Sequence, residues 1–124
     1  MYLALSALNL ALAVLLGAFG AHGLKAIASA EQLLWWATAT QYFFYHALGL
    51  LALSILLIAR PKFPIKLSFV SMQIGIILFS GSLYVMSLGL DRIFGIITPI
   101  GGAFMIFGWL VLAYHALRHR RLLG

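Results

Sequence analysis

Apolar residues run along the chain in four long stretches, roughly residues 2–21, 33–59, 67–89 and 93–115, and the short segments between them carry nearly all of the charge. A helix of about 20 residues rises about 30 Å, the thickness of a bilayer's hydrocarbon layer, so each stretch predicts one crossing. Lipid offers no water to exposed backbone groups, so the crossings must be helices, and four such segments are too few and too uniformly apolar for barrel strands. The predicted fold is all-α and polytopic: one domain over residues 1–124 forming an antiparallel bundle of four transmembrane helices.

The polar interruptions refine the helix ends. Ser29 stands three residues before Gln32, with Glu31 in between, which fits a capping box with an acid in the positive first turn. The second helix then covers about 30–59, roughly 45 Å, and its first turns tilt or lie near the interface with Trp35 and Trp36 at headgroup depth. "RPKFPIK", Arg60 to Lys66, is the clearest break, because Pro61 and Pro64 lack amide hydrogens and three cations hold the segment in water. "GLDRIFG", Gly89 to Gly95, is tight enough to make helix three (67–89) and helix four (93–117) antiparallel neighbours. Pro99 predicts either a kink in helix four or a start near Thr98 or Pro99, with residues 93–97 at the interface. The first stretch, 2–21, has the length of a signal peptide but no Lys or Arg ahead of its apolar core, and reads as a retained span.

Composition narrows the class. Of the 124 residues 65% are hydrophobic and only 8% charged, where a soluble domain carries about a quarter charged residues. Cysteine is absent, which removes disulfides, thiolate metal sites and cysteine nucleophiles. The net charge of +6 is not gathered into the dense field that nucleic-acid phosphates require, so no nucleic-acid partner is expected. Arg60, Lys62, Lys66, Arg118, Arg120 and Arg121 instead flank apolar runs, where anionic lipid headgroups would meet them. Four crossings put these cations on the side of both termini and leave Lys25 and Arg92 opposite, near Glu31 and Asp91. That asymmetry predicts cytoplasmic termini.

Against this background the polar residues within the spans stand out. Thr38, Gln41, Tyr42 and Tyr45 share one broad face of helix two with Gly49, and His46 lies at its edge. Gln73, Ser80, Tyr84 and Ser87 repeat the pattern on helix three. Both stripes are expected to face the interior as a polar seam, since an unpaired amide in hydrocarbon costs on the order of kcal/mol. Asn9 on helix one belongs to the same set but lies in the opposite half of the membrane from Gln41, so no contact between them is expected. No carboxylate lies in any span, which weighs against an ion-coupled pump.

Metal, haem and enzyme chemistry find little support in the residues. His46 has no second histidine at its depth for axial haem ligation. His115 and His119 are spaced to clamp a metal, but Arg118, Arg120 and Arg121 beside them favour phosphate over a cation. "GAFGAHGLK", Gly17 to Lys25, lacks the Gly-Lys-Ser or Gly-Lys-Thr ending of a phosphate loop. No Ser-His-acid triad or paired carboxylates exist among two acids, so no catalytic residue, metal or cofactor is expected.

Small residues suggest close helix contacts. Ala13, Gly17 and Ala21 form consecutive small-xxx-small steps on helix one, and Ser71 with Gly75 repeats one on helix three. Gly49, Gly81, Gly101, Gly102 and Gly108 complete the set expected to let backbones approach, within the bundle or against a second copy.

"GAFGAHGLK", "YHALGLLAL" (Tyr45 to Leu53), "LFSGSLYVMSLG" (Leu78 to Gly89) and "TPIGGAFMIFGWL" (Thr98 to Leu110) together resemble the DUF423 (UPF0382) family of small multi-pass bacterial inner-membrane proteins, which has mitochondrial relatives. The resemblance runs from Leu8 to about Ala113 and rests on the set of motifs, with His22, Gly23, Ser82, Pro99 and Trp109 among its marks. It implies an inner-membrane location and brings no established activity, ligand or active-site residue. The expected role is structural or interactive, as a self-associating protein or a member of a larger membrane complex. The alternative is a small-solute or ion carrier or channel subunit, lined by Gln41, Tyr45, His46, Gln73, Ser80 and Tyr84, which would need a homo-oligomer because four helices leave little room for a cavity.

Overall fold

The computed structural model describes residues 1–124 as an all-helical chain. Four helices are long and apolar enough to cross a membrane: α1 (Tyr2–Ala21), α2 (Ala30–Ala59), α3 (Lys66–Ser87) and α4 (Ile97–Arg118). A short α5 (Arg120–Leu123) follows, and single 3-10 segments, Leu24–Ala26 and Arg92–Ile96, fill the two connections at the opposite end.

Local chemistry sets the ends. The Ser29 hydroxyl accepts from the Gln32 amide at 3.2 Å while the Gln32 side chain accepts from the Ser29 amide at 2.8 Å, closing a full capping box at the start of α2. α3 stops at Ser87, before Gly89, whose φ of +90° turns the chain out of the helix and would strain any other residue. α4 begins at Ile97, after a 3-10 turn in which the Ile93 amide donates to the Asp91 carboxylate at 2.9 Å. Pro99 thus falls in the first turn of α4, where its missing N–H breaks no intrahelical bond.

Consecutive helices pack against one another in an up-down-up-down order, with α2 and α3 at the centre. Half of the most apolar window of α3 is buried within the protein, against 17% for those of α1 and α4, so the outer two helices give most of their surface to lipid. The core of α2 is Trp36, Ala39, Phe43, Ala47, Leu50 and Leu53, recurring at three- and four-residue steps, and it meets Phe69, Met72, Ile76 and Leu83 of α3.

One expectation is corrected here. The loop after α2 is not held wholly in water, because Phe63 and Ile65, each 2% exposed, turn inward and plug that end of the bundle. Trp36 is 4% exposed and donates its indole N–H to the Leu16 carbonyl of α1 at 2.8 Å. Trp35 is half-buried with the Arg92 guanidinium 5.5 Å above its ring.

Candidate functional site

The bundle carries a set of polar clips, one or more at every helix interface. α1 and α3 run parallel, and Asn9 and Gln73 lie equally far from their helix starts at Tyr2 and Lys66. Their amides meet reciprocally: Asn9 Nδ2 donates to Gln73 Oε1 at 2.8 Å and Gln73 Nε2 donates to Asn9 Oδ1 at 3.2 Å. Asn9 Nδ2 also bonds the Leu5 carbonyl at 2.8 Å. Below them Ser6 and Ser54 join α1 to α2, their hydroxyls 3.0 Å apart and both buried.

Between α2 and α3, the Ser80 hydroxyl donates to the Ala39 carbonyl at 2.7 Å and the Thr40 and Tyr84 hydroxyls lie 2.8 Å apart. The Tyr84 ring rests 4.4 Å from Trp36, centroid to centroid. Between α3 and α4, Ser71 donates to the Phe104 carbonyl at 2.8 Å, and Ser82 and Thr98 share a 2.6 Å contact. Ser87 is spent on its own helix, bonding Leu83.

His46 links α2 to α4. Its Nε2 receives the indole N–H of Trp109 at 3.1 Å and its Nδ1 lies 2.8 Å from the Tyr42 carbonyl. Indole nitrogen is only a donor and a carbonyl only an acceptor, so the imidazole carries its single proton on Nδ1. An imidazolium would set two N–H groups against each other at Nε2. The histidine thus bridges α2 and α4.

The outward side of α2 corrects the predicted seam. Gln41 and Tyr45 point away from the core, Tyr45 55% exposed, while Tyr42, 40% exposed, lays its ring 4.8 Å from that of Phe79 on α3 with its hydroxyl unpartnered. Gln41 Nε2 bonds the Tyr45 hydroxyl at 2.7 Å, and neither reaches another helix. Thr38 is half-buried without a hydrogen bond. The physical reason is competition for one face. Trp36, Ala39, Phe43, His46 and Leu50 claim the inward stripe of α2; residues 41 and 45 fall on the other side of the same helix, and residue 42 sits at the stripe's edge beside His46.

The small residues divide likewise. An added Cβ on Gly101 would collide with the Phe79 backbone, one on Gly75 would lie 3.0 Å from the Gly101 carbonyl oxygen, and one on Gly108 would lie 3.1 Å from that of Ser68. These three let α3 and α4 touch backbone to backbone. Gly17 faces Thr40, Gly20 the ring of Trp36, Gly49 the ring of Trp109, and Gly102 that of Phe79, while Ala13 is fully buried. Two expected packing positions are corrected: Ala21 is exposed, and a Cβ on Gly81 would meet nothing within 4 Å.

Two clefts border these groups. One of about 500 Å³ lies between α1 and α2 over Gly17, Gly20, Thr40 and Gln41. The other, about 230 Å³, lies beside Asn9, Gln73, Ser80 and Tyr84, which already bond one another, backbone or, for Tyr84, the Thr40 hydroxyl. Of the charged groups, Arg92 pairs with Glu31 at 2.8 Å and not with its neighbour Asp91, and Arg118 donates to the Tyr114 hydroxyl at 3.0 Å. His115 and His119 stack loosely, ring centroids 5.6 Å apart.

Several members of the clip set have no counterpart in the predicted seam: Ser6, Thr40, Ser54, Ser71, Ser82, Thr98 and Trp109. Equal depth on parallel helices was the available signal for Asn9 and Gln73. For the serines none existed, because a hydroxyl satisfied by a neighbouring carbonyl leaves no trace in spacing.

The comparisons with known proteins agree with this architecture. The family described as "Protein of unknown function (DUF423)" matches residues 16–102. A UPF0382 membrane protein of Staphylococcus saprophyticus is 48% identical over 113 residues, 90% of this chain and 92% of its own. One from Haemophilus influenzae is 41% identical over 121 residues, 98% and 97% of the two chains. The UPF0382 inner membrane protein YgdD of Escherichia coli is 36% identical over 108 residues, 87% and 82%. No solved structure matches. With a match across most of its length, and with its four apolar helices, the chain belongs to the DUF423 family of membrane proteins.

Proposed function

We propose that this protein is a structural component of the cell's inner membrane that self-associates through the outward face of α2. An inner-membrane setting is supported by the name of the Escherichia coli relative. Cytoplasmic termini are supported by the gathering of Arg60, Lys62, Lys66, Arg118, Arg120 and Arg121 at the end that holds both termini, with Lys25 and Arg92 at the other.

One observation carries the reading: Gln41 and Tyr45, on the outward side of α2, bond each other and no group of another helix. Their mutual bond leaves the Gln41 carbonyl oxygen, its second amide hydrogen and the Tyr42 hydroxyl without partners. Acyl chains offer such groups nothing, and each unpaired one costs on the order of kcal/mol. A primary amide is donor and acceptor at once, so a second copy related by a two-fold axis satisfies it with the same residue. Most inner polar groups, by contrast, are consumed in joining one helix to another, the buried Ser68 hydroxyl excepted.

Energy transfer between labelled copies in liposomes, measured across protein-to-lipid ratios, tests the proposal. Gln41→Leu is expected to weaken association about fivefold, the equivalent of ~1 kcal/mol for one intramembrane contact, with helicity unchanged. Association as strong as in the wild type would contradict it. The carrier or channel reading has the 230 Å³ cleft beside Asn9 and Gln73 in its favour. Solute flux through liposomes that Gln73→Leu abolishes while association persists would replace the structural role with that one.

A further inference from the structure

At the end of the bundle that holds both termini, the fold joins charges that the sequence keeps far apart. The Arg60 guanidinium donates through Nη2 to the Leu123 carbonyl at 3.1 Å, across 63 positions of chain, and through Nη1 to the Ala59 carbonyl at 3.3 Å. This hook holds α5 beneath the loop between α2 and α3. Between the two segments lies a pocket of about 400 Å³ whose walls include Arg60, Lys62, Phe63, Arg121 and Leu122. Phe63 is 2% exposed and fixes the loop that carries the cations.

Three cations around one concavity repel one another, and no acidic side chain is at hand to neutralise them. The chain has two acids in all. Glu31 is paired with Arg92 at 2.8 Å, and Asp91 accepts from the Ile93 amide, both at the far end of the bundle. Guanidinium groups present planar forks that match phosphate oxygens, and a lysine adds a point charge. The volume falls within the range of about 300–1,000 Å³ usual for small-molecule sites.

We propose that Arg60, Lys62 and Arg121 form a binding pocket for a phosphate-bearing anion, either the headgroup of an anionic lipid or a small soluble phosphate. The site stands on different residues from the Gln41–Tyr45 face, so it holds whether or not the protein self-associates.

The test uses the full chain purified in neutral detergent, titrated with short-chain phosphatidylglycerol or with inorganic pyrophosphate while the melting temperature is followed. Lys62→Gln/Arg121→Gln removes two pocket charges, and Lys66→Gln/Arg120→Gln removes two from the same end outside the pocket. None of the four side chains hydrogen-bonds within the protein, so neither pair disturbs the fold. The wild type is expected to show a saturable rise in Tm. The pocket pair should weaken the apparent affinity about thirtyfold, about fivefold per cation, and the control pair far less. A pocket-selective loss seen only with the lipid assigns the site to headgroups, and one seen with pyrophosphate as well assigns it to soluble phosphates. Equal losses from the two pairs, or no saturable shift with either probe, would overturn the proposal.

Discussion

The two sides of α2 carry similar chemistry into opposite surroundings. Inward, His46, Thr40 and the Ala39 carbonyl each meet one partner from α3 or α4. Outward, Gln41 and Tyr45 bond only each other, and the Tyr42 ring lies against Phe79 while its hydroxyl has no partner. The difference teaches that polarity within a span does not say which way a residue faces. It says only that a partner is required, and the inward partners are already in the chain.

Breaking the inner side has the largest effects. Gly101→Val drives a branched side chain into the Phe79 backbone and separates α3 from α4; a loss of about 3 kcal/mol is expected, the upper part of the overpacking range, read as a lowered midpoint in detergent unfolding. Gly81→Ala, where a Cβ meets nothing, is its silent counterpart. Next comes the amide pair. Gln73→Leu strands the buried Asn9 amide and should cost about 1–2 kcal/mol, and Asn9→Leu/Gln73→Leu should recover part of it, giving a measurable coupling in a double-mutant cycle.

The outer side should respond differently. Gln41→Leu leaves unfolding of the single copy unchanged within about 0.5 kcal/mol while weakening self-association, so the two readouts separate where Gln73→Leu moves the first. Smallest of all is Arg92→Gln. It removes an ion pair whose side chains are 74% and 53% exposed, and exposed pairs contribute about 0–1 kcal/mol, so raised salt should erase even that difference.

How much of this was legible in the sequence follows from the length scale of each signal. The four spans rest on about twenty apolar residues apiece, and the capping box at Ser29 on two residues locked by local geometry, so these were readable. The direction of α2's polar stripe was not. Residues 41 and 46 differ by little more than one turn, and whether Gln41 or His46 faces inward depends on which bulky neighbours, Trp36 and Phe43 among them, win the core. The joining of Arg60 to Leu123 was equally hidden, because it needs all four helices in place before the loop and the C-terminal turn meet.

The chain contains no cysteine, so single cysteines can be placed at will. Leu48→Cys sits on the outward face of α2, near Tyr45, and Ile106→Cys on the lipid-facing side of α4; their native residues are 52% and 62% exposed. Oxidative cross-linking of the two variants in native membranes measures most directly which surface meets a second copy. A disulfide-linked dimer from Leu48→Cys with little from Ile106→Cys is the expected result, and equal cross-linking, or dimers from Ile106→Cys alone, would contradict it.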